Sequence, residues 1–226
     1  MLLLAIDTSG KNGSIALAKC GPGEACESLE VVALAGGTFS AQLVPQISEL
    51  LTKHKFSKSD LGAFAAVSGP GSFTGLRVGL AAIKALAETL GKPIAAVSLL
   101  EAVAMVGGRD ERVFAALDAG RNEVYAGEYQ QDRLEAFGEQ LLARDEFVEI
   151  CRGRVVVTPD SLISQTARLT ALEVVLIDRP RSDTIARLGW KKIAAGETVS
   201  PENLEANYIR RSDAEIFSKP ASYPFK

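Results

Sequence analysis

The residues best suited to chemistry crowd into positions 69–75, which read Gly-Pro-Gly-Ser-Phe-Thr-Gly. Gly69, Gly71 and Gly75 let the backbone take unusual angles or let another group come close. Ser72 and Thr74 set hydroxyls beside them. Between a strand and a helix, such a loop can hold an anion on its backbone N–H groups. It can equally be a tight turn into a well-capped helix, and the residues alone leave both readings open. Gly71 or Gly75 is expected where a side chain would be strained, through the loop's own angles or through a neighbour's approach. The loop is not a Walker A motif, because no lysine stands at the required place.

Asp7 and Asp118 form a second constellation, each closing an apolar run. Two facing carboxylates beside glycine turns can position a metal-bound phosphate. Alternatively, each aspartate caps its own turn. Thr8 and Ser9 carry hydroxyls that could donate to a phosphate oxygen, Gly120 lies in the second turn, and Lys11 is the only nearby cation. The remaining inventory is thin. His54 is the single histidine, so no histidine cluster, HExxH zinc site or Ser-His-Asp triad is expected. Cys20, Cys26 and Cys151 are odd in number and lack CxxC spacing. Neither a disulfide framework nor a thiolate zinc site is expected from them, and a reducing compartment is.

These residues need elements to position them. Residues 2–6 are wholly apolar and predict a strand buried on both faces. A glycine-flanked turn at 10–13 leads to a second strand at 14–17, and 29–34 predicts a third. Helices are predicted over 40–53, where Leu43, Ile47, Leu50 and Leu51 share a face, and over 76–90, stopped by Gly91 and Pro93. Strands at 61–67 and 94–97 flank the second helix, and Ser98 caps a helix at 99–106. Strand, aspartate, glycine turn and strand then recur at 113–129, which points to a duplicated unit. The chain divides into a first lobe (1–107), a smaller second lobe (108–200) and a tail (201–226) that either packs back on the first lobe or stays loose.

The helix over 76–90 is apolar on more than one side. It must be covered by its own sheet and by something else, either a partner subunit or the second lobe. Leu43, Ile47, Leu76, Val78, Gly79, Leu80 and Ile83 are therefore the candidate interface residues. Lys and Arg total 25 against 28 Asp and Glu, a net charge of −3. That balance argues against a stand-alone binder of nucleic acid or anionic membrane. The apolar start ends at Asp7 without a basic flank, so a strand is expected there rather than a signal peptide.

Four segments resemble the TsaB (YeaZ) family, which is related to the Gcp/TsaD family. They are Leu-Leu-Ala-Ile-Asp-Thr-Ser at 3–9, the glycine loop extended to 79, Leu-Asp-Ala-Gly-Arg-Asn-Glu-Val-Tyr-Ala at 117–126, and Asn-Tyr-Ile-Arg at 207–210. The resemblance implies an α/β fold of the actin, Hsp70 and sugar-kinase kind (ASKHA, ribonuclease H-like) with two related lobes. It implies a cytoplasmic, non-catalytic subunit required for threonylcarbamoyl transfer to adenosine 37 of tRNA. Its partners would be a TsaD-type catalytic subunit, bound through the first-lobe helices, and a TsaE-type ATPase in the larger assembly. A second copy would use the same helical surface, and tRNA would be met only indirectly. Asp7, Thr8, Ser9, Asp118 and Gly120 would be vestigial phosphate-loop residues. No cofactor would be held tightly by the isolated chain, with nucleotide contact only inside the complex. The chain departs from the family pattern it resembles in lacking a histidine near Thr38, and residues 118–122 lack the glycine run of a working nucleotide loop. An independent phosphotransferase or a glycoprotease would each need groups that this sequence does not supply.

Overall fold

A computed structural model describes residues 1–23, 25–107, 112–130 and 138–209. The first half runs β1 (Leu2–Asp7), β2 (Gly13–Cys20), β3 (Cys26–Leu34), α1 (Phe39–Lys53), β4 (Leu61–Gly69), α2 (Phe73–Leu90), β5 (Ile94–Ser98) and α3 (Leu99–Gly107). The second runs β6 (Val113–Gly120), β7 (Glu123–Tyr129), β8 (Gln140–Ala143), α4 (Arg144–Ile150), β9 (Val155–Thr158), α5 (Ser161–Leu169), β10 (Glu173–Leu176) and α6 (Ser182–Ala194).

The two halves build the same sheet. The first has the order β3-β2-β1-β4-β5 and the second, read from its other edge, β8-β7-β6-β9-β10. In each, three antiparallel strands are followed by two parallel ones. This is the two-lobed α/β arrangement that the resemblance implies, and it explains why Asp7 and Asp118 occupy equivalent strand ends.

β1 is buried along its whole length. Leu2, Leu4 and Ile6 pack with Leu43 and Ile47 of α1 and Leu80 and Ile83 of α2. Leu3 and Ala5 face the opposite way, into a core shared with α6, α3 and the second sheet. The molecule is thus layered, with α1 and α2 outside the first sheet, α3 and α6 between the sheets, and α4 and α5 outside the second. Although α6 follows the second sheet in the chain, it packs across the first. A Cβ at Gly189 would meet the methyl of Ala65, so α6 lies close on a sheet face of small residues.

α2 begins at Phe73, three residues before the predicted start, because Ser72 Oγ accepts the Gly75 N–H (3.3 Å) and caps it. Gly91 ends it at φ 62°. α1 keeps Pro45 inside the helix. The cysteine expectation is corrected: Cys20 and Cys26 form a disulfide. They are paired residues across β2 and β3, either side of the connecting turn, so sheet register rather than CxxC spacing brings the sulfurs together. Trp190 of α6 holds this turn, donating its indole N–H to the carbonyls of Gly21 (3.1 Å) and Gly23 (3.0 Å).

After α6 the chain returns to the first lobe. Val199 pairs with Ile94, Leu204 is buried, and the Asn207 N–H donates to the Ser68 carbonyl (2.7 Å). The expected tail is described only to residue 209; 210–226, and the charged stretch at 108–111, lie outside the described residues. Among the described residues no helix is long and apolar enough to cross a membrane.

Candidate functional site

A cleft of about 1160 Å³ opens between the lobes. It is lined by the β1–β2 turn, the glycine loop, the β6–β7 turn and the returning C-terminal segment. Both glycine-bearing constellations singled out in the sequence therefore meet at one place.

On the first lobe, Asp7 is 2% exposed and caps its own turn. Its Oδ1 accepts the N–H (2.8 Å) and the hydroxyl (2.5 Å) of Ser9. The turn is bolted to α2: Thr8 Oγ1 donates to the Gly75 carbonyl (2.8 Å), and Ser72 N–H donates to the Ser9 carbonyl (2.7 Å). At Gly71 and Gly75 a side chain would be strained by a neighbour's approach rather than by the loop's own angles. Gly71 and Gly75 do not have positive φ angles, whereas Gly69 does, at 145°. A Cβ at Gly71 would strike Ser9, and one at Gly75 the Thr8 carbonyl. Both are glycine because β1's turn comes so close. Gly69 also lies against the Asn207 carbonyl, 2.6 Å from where its Cβ would sit.

The sequence missed the main cation. Arg179, between β10 and α6, donates through Nη2 to Ser9 Oγ (3.1 Å). Its Nε lies 4.0 Å from Asp7 Oδ2. That Nε is buried and has no hydrogen-bond partner among the described residues. The second lobe repeats the motif. Asp118 Oδ1 accepts the Gly120 N–H (3.3 Å), and Arg144 Nη2 lies 3.6 Å from the same oxygen. Asp160 Oδ2 accepts the Asp118 N–H (2.8 Å). Each strand-end aspartate thus faces an arginine from a later part of the chain, Arg144 from α4 and Arg179 from the segment before α6. No spacing could have indicated this, since Arg179 stands 172 positions after Asp7.

Glu139 ties Asn207, a lining residue of the cleft, to both lobes. It accepts from Ser98 of the first lobe, from the Tyr129 hydroxyl (2.6 Å) and from Asn207 Nδ2 (2.5 Å). Burial, reinforced by the Glu139 charge, holds the Tyr129 phenol far above its ordinary range. At the mouth, Phe73 and Tyr208 lie with ring centroids 5.0 Å apart. The Arg77 guanidinium stacks 3.7 Å over Phe73 and donates to the Tyr208 hydroxyl (3.1 Å).

His54 is away from the cleft lining, at the end of α1, with its Nε2 2.8 Å from Glu30. Cys151 is buried under α4, and burial pushes its thiol up to about 12. No group of three potential metal-ligating side chains occurs among the described residues. The interface candidates fall elsewhere. Leu43, Ile47, Leu76, Gly79, Leu80 and Ile83 are buried within the chain's own fold, and Val78 is partly covered. A Cβ at Gly79 would meet Thr8 Oγ1. The residues that these helices turn outward are Ala41, Val44 (64% exposed) and Ser48 on α1, with Arg77, Ala81 and Ala85 on α2.

Comparison with known proteins places this geometry in context. The family described as TsaD, tRNA N6-adenosine threonylcarbamoyltransferase, matches residues 33–177. The tRNA threonylcarbamoyladenosine biosynthesis protein TsaB of Escherichia coli is 30% identical over 231 residues, 95% of this chain and 96% of that protein. The protein of the same description from Haemophilus influenzae is 33% identical over 178 residues, 77% of this chain and 71% of its own. The solved structure of YeaZ from Pseudomonas aeruginosa superposes with a TM-score of 0.72 at 27% identity, covering 92% of this chain and 99% of that one.

Proposed function

The chain belongs to the TsaB (YeaZ) family, related to Gcp/TsaD, and from that premise we propose that it serves the threonylcarbamoyladenosine modification of tRNA as a non-catalytic subunit. The observation that carries this reading is the similarity to E. coli TsaB along almost the whole of both chains. The proposed work of the subunit is to hold a TsaD-type catalytic partner. Within the multi-subunit complex a TsaE-type ATPase joins, tRNA is met through the partner, and any nucleotide contact is made there. The α1–α2 face is the proposed contact surface, with a second copy of the chain as its alternative occupant. Its outward residues are small or aliphatic at Ala41, Val44, Ala81 and Ala85, which suits close helix-to-helix approach.

The test is threonylcarbamoyl transfer to tRNA, reconstituted with each subunit omitted in turn. Transfer is expected to vanish without this chain and to be absent with this chain alone. Undiminished transfer in its absence, or transfer by it without a TsaD-type protein, overturns the reading. Val44→Glu puts a charge on the outward face while leaving the core intact. It is expected to weaken association with the TsaD-type partner and with a second copy by about 2 kcal/mol or more, measured by sedimentation.

A further inference from the structure

We propose that Cys20 and Cys26 are a reversible redox site, a disulfide that external thiols open and re-form while the chain stays folded, and that Trp190 reports its state.

The pair sits where a permanent staple has little to do. Cys20 and Cys26 are opposite one another in the last pair of the β2–β3 ladder before the turn. Backbone bonds already hold that end of the hairpin. The Gly21 N–H donates to the Ala25 carbonyl (2.8 Å) and the Cys20 N–H to the Met1 carbonyl (2.9 Å), while the Gly21 and Gly23 carbonyls take the Trp190 indole N–H. A disulfide stabilises mainly by constraining the unfolded chain, and least when it closes a short loop. This one closes a sequence separation of six. What the pair adds is therefore chemistry more than stability.

Both oxidation states have a place in the fold. Oxidised, the two sulfurs bond each other. Reduced, the Cys26 thiol has an acceptor of its own, the Ala186 carbonyl of α6, 3.7 Å from its sulfur. Cys20 belongs to the same apolar cluster as Ala186 and Trp190, a setting that suits a neutral thiol. Access differs between them, since Cys20 is buried and Cys26 half-buried. An incoming thiolate therefore reaches Cys26. Its attack forms a mixed disulfide and breaks the Cys20–Cys26 bond, and Cys20 leaves as a thiolate that takes a proton. A second external thiolate attacks the external sulfur of the mixed disulfide and frees Cys26, which is protonated in turn. Two external thiols thereby become one external disulfide, and their two electrons reduce the pair. Oxidation is the same sequence reversed, with a small-molecule disulfide as the electron acceptor. Cys151 takes no part, being buried in the core beneath α4 and α5 of the second lobe.

Trp190 is the only tryptophan in the chain. Its indole is bonded to the turn that joins the two cysteines, and a disulfide quenches a neighbouring indole. The site lies on the α6 side of the first sheet, opposite the α1–α2 face, so it stands or falls independently of the partner-subunit reading.

The experiment uses the full chain, equilibrated without denaturant in glutathione buffers from wholly oxidised to wholly reduced. Circular dichroism and Trp190 emission are recorded. Samples are then acid-quenched, unfolded and alkylated, and the labels are counted by intact mass. One label is expected in oxidised buffer, on Cys151, and three in reduced buffer, the two new ones appearing together. Emission should rise on reduction with the circular dichroism unchanged. Cys26→Ser keeps a donor for the Ala186 carbonyl but cannot form the bond. It should take two labels and hold constant emission in every buffer. Cys20→Ser should do the same, which keeps the proposal testable if the first variant fails to fold. Resistance to reduction until urea unfolds the chain, or unfolding on reduction, would mark a permanent staple. Three labels in fully oxidised buffer would mark a pair that never bonds. Emission that still follows the buffer in a folded serine variant would remove Trp190 as the reporter. Each of these results overturns the proposal.

Discussion

Replacing Gly79 by alanine tests whether α2 is held against β1 by the packing described above. In an exposed helix interior this change stabilises by about 1 kcal/mol, since glycine is the weaker helix former. Here the added methyl would land on Thr8 Oγ1, with Ile6 Cδ1 at 3.3 Å and Thr8 Cβ at 3.5 Å. Thr8 is 3% exposed, and its hydroxyl makes the bond to the Gly75 carbonyl. Displacing it breaks that bond and leaves a buried hydroxyl unsatisfied, a cost of about 1–3 kcal/mol. Overpacking adds about 1–3 kcal/mol. Set against the propensity gain, Gly79→Ala should destabilise by about 1–5 kcal/mol. Thr8→Ala alone should cost about 1–2 kcal/mol for the lost bond. In the Thr8→Ala background the obstructing oxygen is gone, so Gly79→Ala should be neutral or slightly stabilising. The double-mutant cycle, read by urea unfolding with m-values compared, should show a favourable coupling of about 1–5 kcal/mol. A stabilised Gly79→Ala protein, or a coupling below about 0.5 kcal/mol, would refute the close approach of α2 to the Asp7 turn.

Two further outcomes are expected. Burial raises the Cys151 thiol from its ordinary 9.0 to about 12. Its contribution to stability is therefore complete below about pH 9 and is lost as pH rises towards 12, by about 1.4 kcal/mol per unit. Alkaline unfolding should be less steep in Cys151→Ala, and a thiol reagent at pH 8 should label Cys151 only after unfolding. Trp190→Phe removes one donor shared by the Gly21 and Gly23 carbonyls. It should cost about 1 kcal/mol in urea unfolding.

The sequence was readable where a pattern was local and strong. The apolar run before Asp7, the capped leucine helix after the glycine loop and the second aspartate turn each state their structure within a dozen residues. β8 and α4 escaped notice because a four-residue strand and a seven-residue helix with one fully buried side chain, Phe147, are too short to show a period. The faces of α2 were misjudged because alanine counts as apolar wherever it points. Leu76, Leu80 and Ile83 turn inward, while Ala81 and Ala85 turn to solvent. The cysteine pair was hidden by a separation of six, which acquires meaning only once the β2–β3 register is known. In the cleft, Asp7 and the glycines were legible. Arg179 was not, because its position beside Asp7 results from the path of the whole second lobe.

That path has a consequence during synthesis. The face of the first sheet that carries Leu3, Ala5 and Ala16 is covered by α6, and α6 ends 96 residues after β5. At about 5–20 residues per second, a ribosome takes roughly 5–20 s to make that length. For that interval the five strands of the first sheet exist in the nascent chain with one apolar face uncovered. Completion of the first lobe must therefore await the second, and a chain terminated after α3 would present to chaperones a half-covered sheet rather than a finished domain.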